Sequence, residues 1–166
     1  MSRIIFVTGV STSGKTTLHD TLKLPKMDVD DDGTPQAGAL AWLAWRCEEL
    51  LAEAHEVVSD HGKSAVVVTG IIWPHKVIES TYMQELPDDI EVEFVLLQVA
   101  KKDLRNRLKT RLGGTKPVGP FVDYNWGLQK RLYQQVAYQR NGFILPPTYT
   151  PEEVVEFLNW RAQDNA

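Results

Sequence analysis

Short apolar runs alternate along this chain with longer stretches whose apolar residues recur every three or four positions. The runs at 4–7 (Ile-Ile-Phe-Val), 64–70, 91–99 and 142–145 carry the β-branched, continuous hydrophobicity of strands buried on both faces. Met27-Asp28-Val29-Asp30 reads as a further, shorter strand that runs into a loop. Between these lie helical stretches. One begins at about Thr16, and one fills 38–59, with Leu40, Leu43, Cys47, Leu50, Leu51 and Ala54 on a single face. Others are expected at about 75–86, 101–112, 123–139 and 151–161. Thr150-Pro151-Glu152-Glu153 is a helix start, with Thr as cap, Pro in the first turn and Glu three residues on. Five strands alternating with helices imply an α/β fold in three layers, a parallel sheet covered on both faces. At 166 residues the chain fits a single domain, 1–166.

The turn after the first strand changes the picture most. Gly9-Val10-Ser11-Thr12-Ser13-Gly14-Lys15-Thr16 satisfies G-x-x-x-x-G-K-[ST], the phosphate-binding P-loop. A chain of this length matches that pattern by chance roughly once in two hundred, and here it stands where the chemistry needs it, between a strand and a helix. Gly9 and Gly14 let the backbone turn and approach phosphate oxygens. The loop amides, from Ser11 through Thr17, then point inward at the positive end of the following helix. Lys15 neutralises the β- and γ-phosphates, and Thr16 offers its hydroxyl to Mg²⁺. A nucleoside triphosphate, ATP, is the expected ligand.

The formal charge is −4, so no general attraction to nucleic acid or anionic membrane is expected, and any basic phosphate site must be local. A single cysteine, Cys47, excludes an internal disulfide and a cysteine-based metal cluster and suits a reducing cytoplasm. The first strand starts at about Arg3, which leaves no room for a signal peptide, and no apolar run approaches membrane-spanning length. The expectation is a soluble cytoplasmic protein.

The P-loop, the length, and the order of elements and polar positions resemble the small P-loop kinases related to shikimate, gluconate and adenylate kinases. That resemblance implies a sheet of order 2-3-1-4-5 and a second strand ending in Asp-x-Asp, here Asp28-Val29-Asp30. It implies that Asp28 assists Mg²⁺ and that Asp30 accepts the proton of the acceptor hydroxyl. On the residues alone, a carboxylate at the next strand's end can hold a metal or orient a nucleophile, or Asp28 to Asp32 can form a solvated acidic loop. Asp31 and Asp32 have no counterpart in the family.

Arg107 and Arg111, four apart on one helix face, match an R-x-x-x-R that in the family enters a mobile lid and neutralises the transferring phosphoryl group. The Gly/Pro run at 113–120 suits a hinge, giving a lid over about 107–122. The third strand ends in Thr69-Gly70, small residues that let the backbone approach an acceptor. Trp73 either stacks on an acceptor ring or belongs to the core. Arg46 and Arg131 either contact an anionic acceptor through their guanidinium forks or bridge on the surface. The four histidines show no metal-ligand spacing, and Pro146-Pro147-Thr148 matches the adenine-side loop in position.

Together these features imply an ATP-dependent kinase acting on the hydroxyl or phosphate of a small molecule. A nucleoside, nucleoside monophosphate, antibiotic or polynucleotide kinase is the alternative within that chemistry. The net negative charge weighs against the polynucleotide. A regulatory ATP-binding protein is the alternative outside it. No N-K-x-D tetrapeptide is present to read guanine, and the third strand lacks the acidic residue of motor ATPases.

Overall fold

The computed structural model describes residues 2–10, 12–29, 52–54, 56 and 64–163. Five strands form one parallel sheet: β1 (Ser2–Thr8), β2 (Lys26–Asp28), β3 (Ala65–Gly70), β4 (Ile90–Leu97) and β5 (Gly142–Leu145). Their order is β2-β3-β1-β4-β5, as the family resemblance implies. β1 is central, with Thr8 level with Gly70 of β3 on one side and Leu96 of β4 on the other. Among the described residues no helix is long and apolar enough to cross a membrane.

Side-chain alternation divides the core into two layers. Ile4, Phe6, Val66, Val68, Phe94 and Leu96 face one side. There they meet α4 (Lys101–Leu112) through Leu104 and Leu108, and α5 (Gly119–Tyr138) through Val122, Leu128, Leu132 and Val136. The Phe6 and Phe94 rings stack at 5.5 Å in that layer. Ile5, Val7, Val67, Val95 and Leu97 face the other side. They pack on α1 (Lys15–Thr21) through Leu18, and on α6 (Pro151–Gln163) through Val154, Leu158 and Ala162.

Two helices differ from the expectation. The stretch at 75–86 is two short helices, α2 (Pro74–Ile78) and α3 (Thr81–Glu85). Ser80 divides them: its hydroxyl donates to the Val77 carbonyl and accepts from the Met83 amide, ending one helix and capping the next. The helix expected at 123–139 starts four residues earlier, at Gly119, because Pro120 fits a first turn whose amides need no internal partner. The expected helix at 38–59 lies outside the described residues except for 52–54 and 56, which are helical; Ala54 is buried there.

At the sheet edge opposite the strand ends that carry the P-loop, a charged cluster replaces apolar packing. Glu93 of β4 is fully buried. Its carboxylate receives Arg161 Nε at 2.7 Å and Nη2 at 3.0 Å, and lies 2.9 Å from Arg3 Nε. Arg3 Nη1 also donates to the Arg161 carbonyl at 2.9 Å, so strands β1 and β4 are tied to the end of α6. Removing the shared carboxylate leaves two guanidiniums in low dielectric. Glu93→Ala is therefore expected to lower unfolding free energy by about 3–5 kcal/mol. Glu91→Ala, whose side chain is 39% exposed beside the same Arg3, is expected to cost under about 1 kcal/mol. Urea denaturation of the two variants checks the contrast.

Candidate functional site

Parallel strands deliver all their carboxyl ends to one edge, and an open cleft of about 1050 Å³ lies there. The P-loop residues Thr12 to Thr17 form its floor. Asp28, Gly70 and Ile71 line one side, and Gln98, Arg107 and Arg111 another. Pro146, Pro147 and Tyr149, after β5, also line it.

The loop is tightly built. A Cβ on Gly9 would stand 2.6 Å from Ser13 Oγ and 2.9 Å from the Leu97 carbonyl, so only glycine fits where the loop leaves β1 beside the end of β4. Gly14 caps α1 in the left-handed region, at φ 101°. Thr12 also has a positive φ, 71°, a costly conformation for a β-branched residue. Its carbonyl accepts from Arg107 Nη1 at 2.6 Å, a bond that joins the loop to α4 across 95 positions of sequence. Lys15 curls back over the loop, its ammonium donating to the Gly9 carbonyl and, at 2.9 Å, to that of Val10. The Thr12 and Ser13 hydroxyls are buried without a hydrogen-bond partner among the described residues. Thr16 and Thr17 are exposed at the start of α1.

Asp28 ends β2 level with Thr69 of β3. Thr69 is fully buried, and its hydroxyl donates to Asp28 Oδ2 at 2.8 Å, fixing the carboxylate at the cleft wall. Gly70 follows with φ 152°, and a Cβ there would come within 2.2 Å of Val29 Cγ2. The chain then turns past the P-loop, held by the Ile72 amide on Thr8 Oγ1 at 2.9 Å.

Of the residues singled out from sequence, Gly9, Thr12, Ser13, Gly14, Lys15, Thr16, Thr17, Asp28, Gly70, Arg107 and Arg111 converge on this edge of the sheet. Ser11, Asp30 and Arg46 lie outside the described residues. Trp73 packs partly buried against the core, and the Arg131 guanidinium stands 5.8 Å from its ring. Neither is among the described residues that line the cleft.

Three positions escaped the sequence reading: Thr8, Tyr149 and Gln129. Gln129, in the middle of α5, pairs its side-chain amide with both backbone groups of Val99, at 3.0 and 3.1 Å. It thereby completes the chain just past β4, where no strand neighbour is available, and fixes the approach to α4 and its arginines. A lone buried glutamine carries no signal of that role. Tyr149 could have been suspected from the turn-forming Pro146-Pro147, whose Pro146 carbonyl accepts from the Tyr149 amide at 3.1 Å.

No family model matches the chain, and neither does any curated protein. Solved structures do. The chain is similar to the YorR protein from Bacillus subtilis, solved in complex with phosphorylated GDP: TM-score 0.54, 14% identity, covering 98% of this chain and 99% of that one. It is similar to the shikimate kinase of Bacteroides thetaiotaomicron, at TM-score 0.52 and 21% identity over 94% of this chain and 96% of that one. A shikimate kinase from Acinetobacter baumannii, solved with shikimate, gives TM-score 0.50 and 17% identity over 96% and 91%. At these identities the likeness is one of fold, extending over nearly the whole of each chain.

The contact of Gly70 with Val29 supplies a test of the cleft wall. Gly70→Ala is expected to destabilise the chain by about 1–3 kcal/mol through overpacking and the unfavourable φ. It also displaces the backbone that carries Asp28. Thermal unfolding alongside Ser2→Ala, a substitution at the far end of the sheet, measures the difference.

Proposed function

We propose that this chain is an ATP-dependent phosphotransferase that moves the γ-phosphoryl group to a hydroxyl, or a phosphate, of a small molecule. The observation that carries this reading is the convergence of a P-loop, an anchored carboxylate and an arginine bonded to the loop in one cleft. The likeness in fold to shikimate kinases agrees with it.

The loop amides and Lys15 hold the β- and γ-phosphates. Lys15 reaches them by exchanging its present acceptors, the Gly9 and Val10 carbonyls, for phosphate oxygens. The buried Thr12 and Ser13 hydroxyls stand ready as further donors to the anion. The Thr16 hydroxyl and Asp28 carboxylate, hard oxygen donors on the same cleft, would hold Mg²⁺. That ion, when bound, neutralises charge developing between the β- and γ-phosphates. Thr69 holds one oxygen of Asp28 at the cleft wall.

Asp30, two residues beyond Asp28, takes the proton of the acceptor hydroxyl. The acceptor oxygen bonds to the γ-phosphorus, the bond to the β–γ bridging oxygen breaks, and ADP leaves. Arg107 and Arg111 neutralise the equatorial oxygens as the group passes. They stand on α4 just before Gly113 and Gly114, both in the left-handed region, where the turn between α4 and α5 can close over the site and exclude water; Leu108 and Val122, at either end of the lid expected at about 107–122, are buried in the core. Pro146, Pro147 and Tyr149 flank the base of the nucleotide.

ADP release from Mg-ATP, measured against sugar acids, shikimate, nucleosides, nucleoside monophosphates and hydroxylated antibiotics, tests the reading. One acceptor is expected to stimulate release many-fold. With that acceptor, Lys15→Met is expected to lower turnover by at least about 100-fold, in the range seen when a preorganised charge-stabilising group is lost. An unchanged urea midpoint for the variant excludes unfolding as the cause. Near-normal turnover by Lys15→Met would overturn the mechanism.

A further inference from the structure

The net charge of −4 conceals a strong division of charge along the chain. Residues 98–140 carry ten of the 18 lysines and arginines, against two carboxylates, Asp103 and Asp123. The other 123 residues carry eight basic and 20 acidic side chains. All ten basic residues of the segment are exposed, on α4, on α5 and in the turns beside them.

Phosphoryl transfer does not require this excess. Arg107 and Arg111 line the cleft, whereas Lys101, Lys102, Arg105 and Lys109 stand elsewhere on α4, and Lys130 stands on α5. A helix face that merely meets solvent mixes charges so that neighbours four apart attract. On α4 the pairs Lys101–Arg105, Arg105–Lys109 and Arg107–Arg111 are all cationic, and each such pair destabilises the helix that carries it. Asp103, four before Arg107, is the one acidic residue among the twelve of α4. An anionic partner lying along the helix turns that self-repulsion into attraction.

Aromatic rings are interleaved with the cations. The Lys101 and Lys130 ammoniums stand 5.9 and 5.8 Å from the centroid of the Trp126 ring, on the side of α5 that meets the start of α4. Lys116 stands 6.0 Å from the Phe121 ring. Tyr124, 64% exposed, stands one turn beyond Phe121 on α5, and Trp126 packs partly buried against the core. Cations that track a backbone beside rings on which bases stack are the two components of single-strand binding. A duplex would use the cations and leave the rings idle, and an anionic bilayer offers no flat bases to stack.

We propose that the surface formed by α4 and the first half of α5 binds single-stranded nucleic acid. The phosphates follow Lys101, Arg105 and Lys109, which recur every four residues along one face of α4, about 18 Å long, and the bases stack at its start on the Trp126 ring. The inference rests on charge, exposure and ring contacts, and holds whether or not the cleft transfers phosphate.

The test uses the full chain and a 3′-labelled oligothymidylate of about 20 nucleotides, followed by fluorescence anisotropy from about 50 to 300 mM salt. Saturable binding is expected, with log K falling against log salt at a slope of about −2 to −4, as for three to six phosphates on a single strand. The combined variant Lys101→Glu, Arg105→Glu, Lys130→Glu is expected to bind at least about 10-fold more weakly, with the slope reduced by about 2. Its affinity for a fluorescent ATP analogue is expected to equal that of the unsubstituted chain. No saturable binding at the lowest salt overturns the proposal, as does unaltered binding by the combined variant. Tighter binding to phosphatidylserine vesicles than to the oligonucleotide also overturns it and makes the surface a membrane contact. Failure of the unsubstituted chain to bind the ATP analogue counts against the phosphotransferase reading alone.

Discussion

The central position of β1 sets the conditions for everything else in this molecule. A strand with parallel neighbours on both sides and apolar layers on both faces has nowhere to place a polar group except at its ends. Its carboxyl end therefore emerges as a turn of bare backbone, and at Gly9 that turn passes so near the Leu97 carbonyl that no side chain can intervene. Because every connection in a parallel sheet crosses back, β2, β3 and β4 end at the same edge. Asp28, Gly70 and the approach to Arg107 thus come to the loop as a result of topology. The two layers of packing then hold them there.

Polar groups inside this frame act as fasteners between neighbouring segments. Thr69 holds Asp28, Thr8 holds the amide of Ile72, and Gln129 holds both backbone groups of Val99. Each restrains a segment that carries or borders the cleft. The Arg107 bond to the Thr12 carbonyl is of a different kind, because it joins an exposed side chain to a strained residue.

Much of this was legible in the sequence, for identifiable reasons. The strands announced themselves because full burial demands continuous β-branched runs, and the P-loop because backbone approach to phosphate demands its glycines. The Thr69 to Gly70 step was marked by size alone, and the structure supplies the reason in the contact with Val29. Helix boundaries were less legible where one residue has two uses. Ser80 can sit inside a helix or cap a new one, and Pro120 can end a loop or open a helix; the surroundings decide. Gln129 and Thr8 were invisible because their roles depend on partners far off in the chain. For Trp73 the alternatives of stacking and packing were equal on sequence, and the ring lies against the core with Arg131 over it.

The cluster of Arg3, Glu93 and Arg161 has a mechanical consequence. It anchors the last helix at the edge of the sheet remote from the cleft, while the same helix begins at Pro151, on the cleft rim. α6 thus spans about 20 Å from that anchor to the turn that carries Tyr149, and Val154, Leu158 and Ala162 seat it on the sheet along the way. The position of the cleft rim is in this way referred to a charge cluster at the opposite end of the strands.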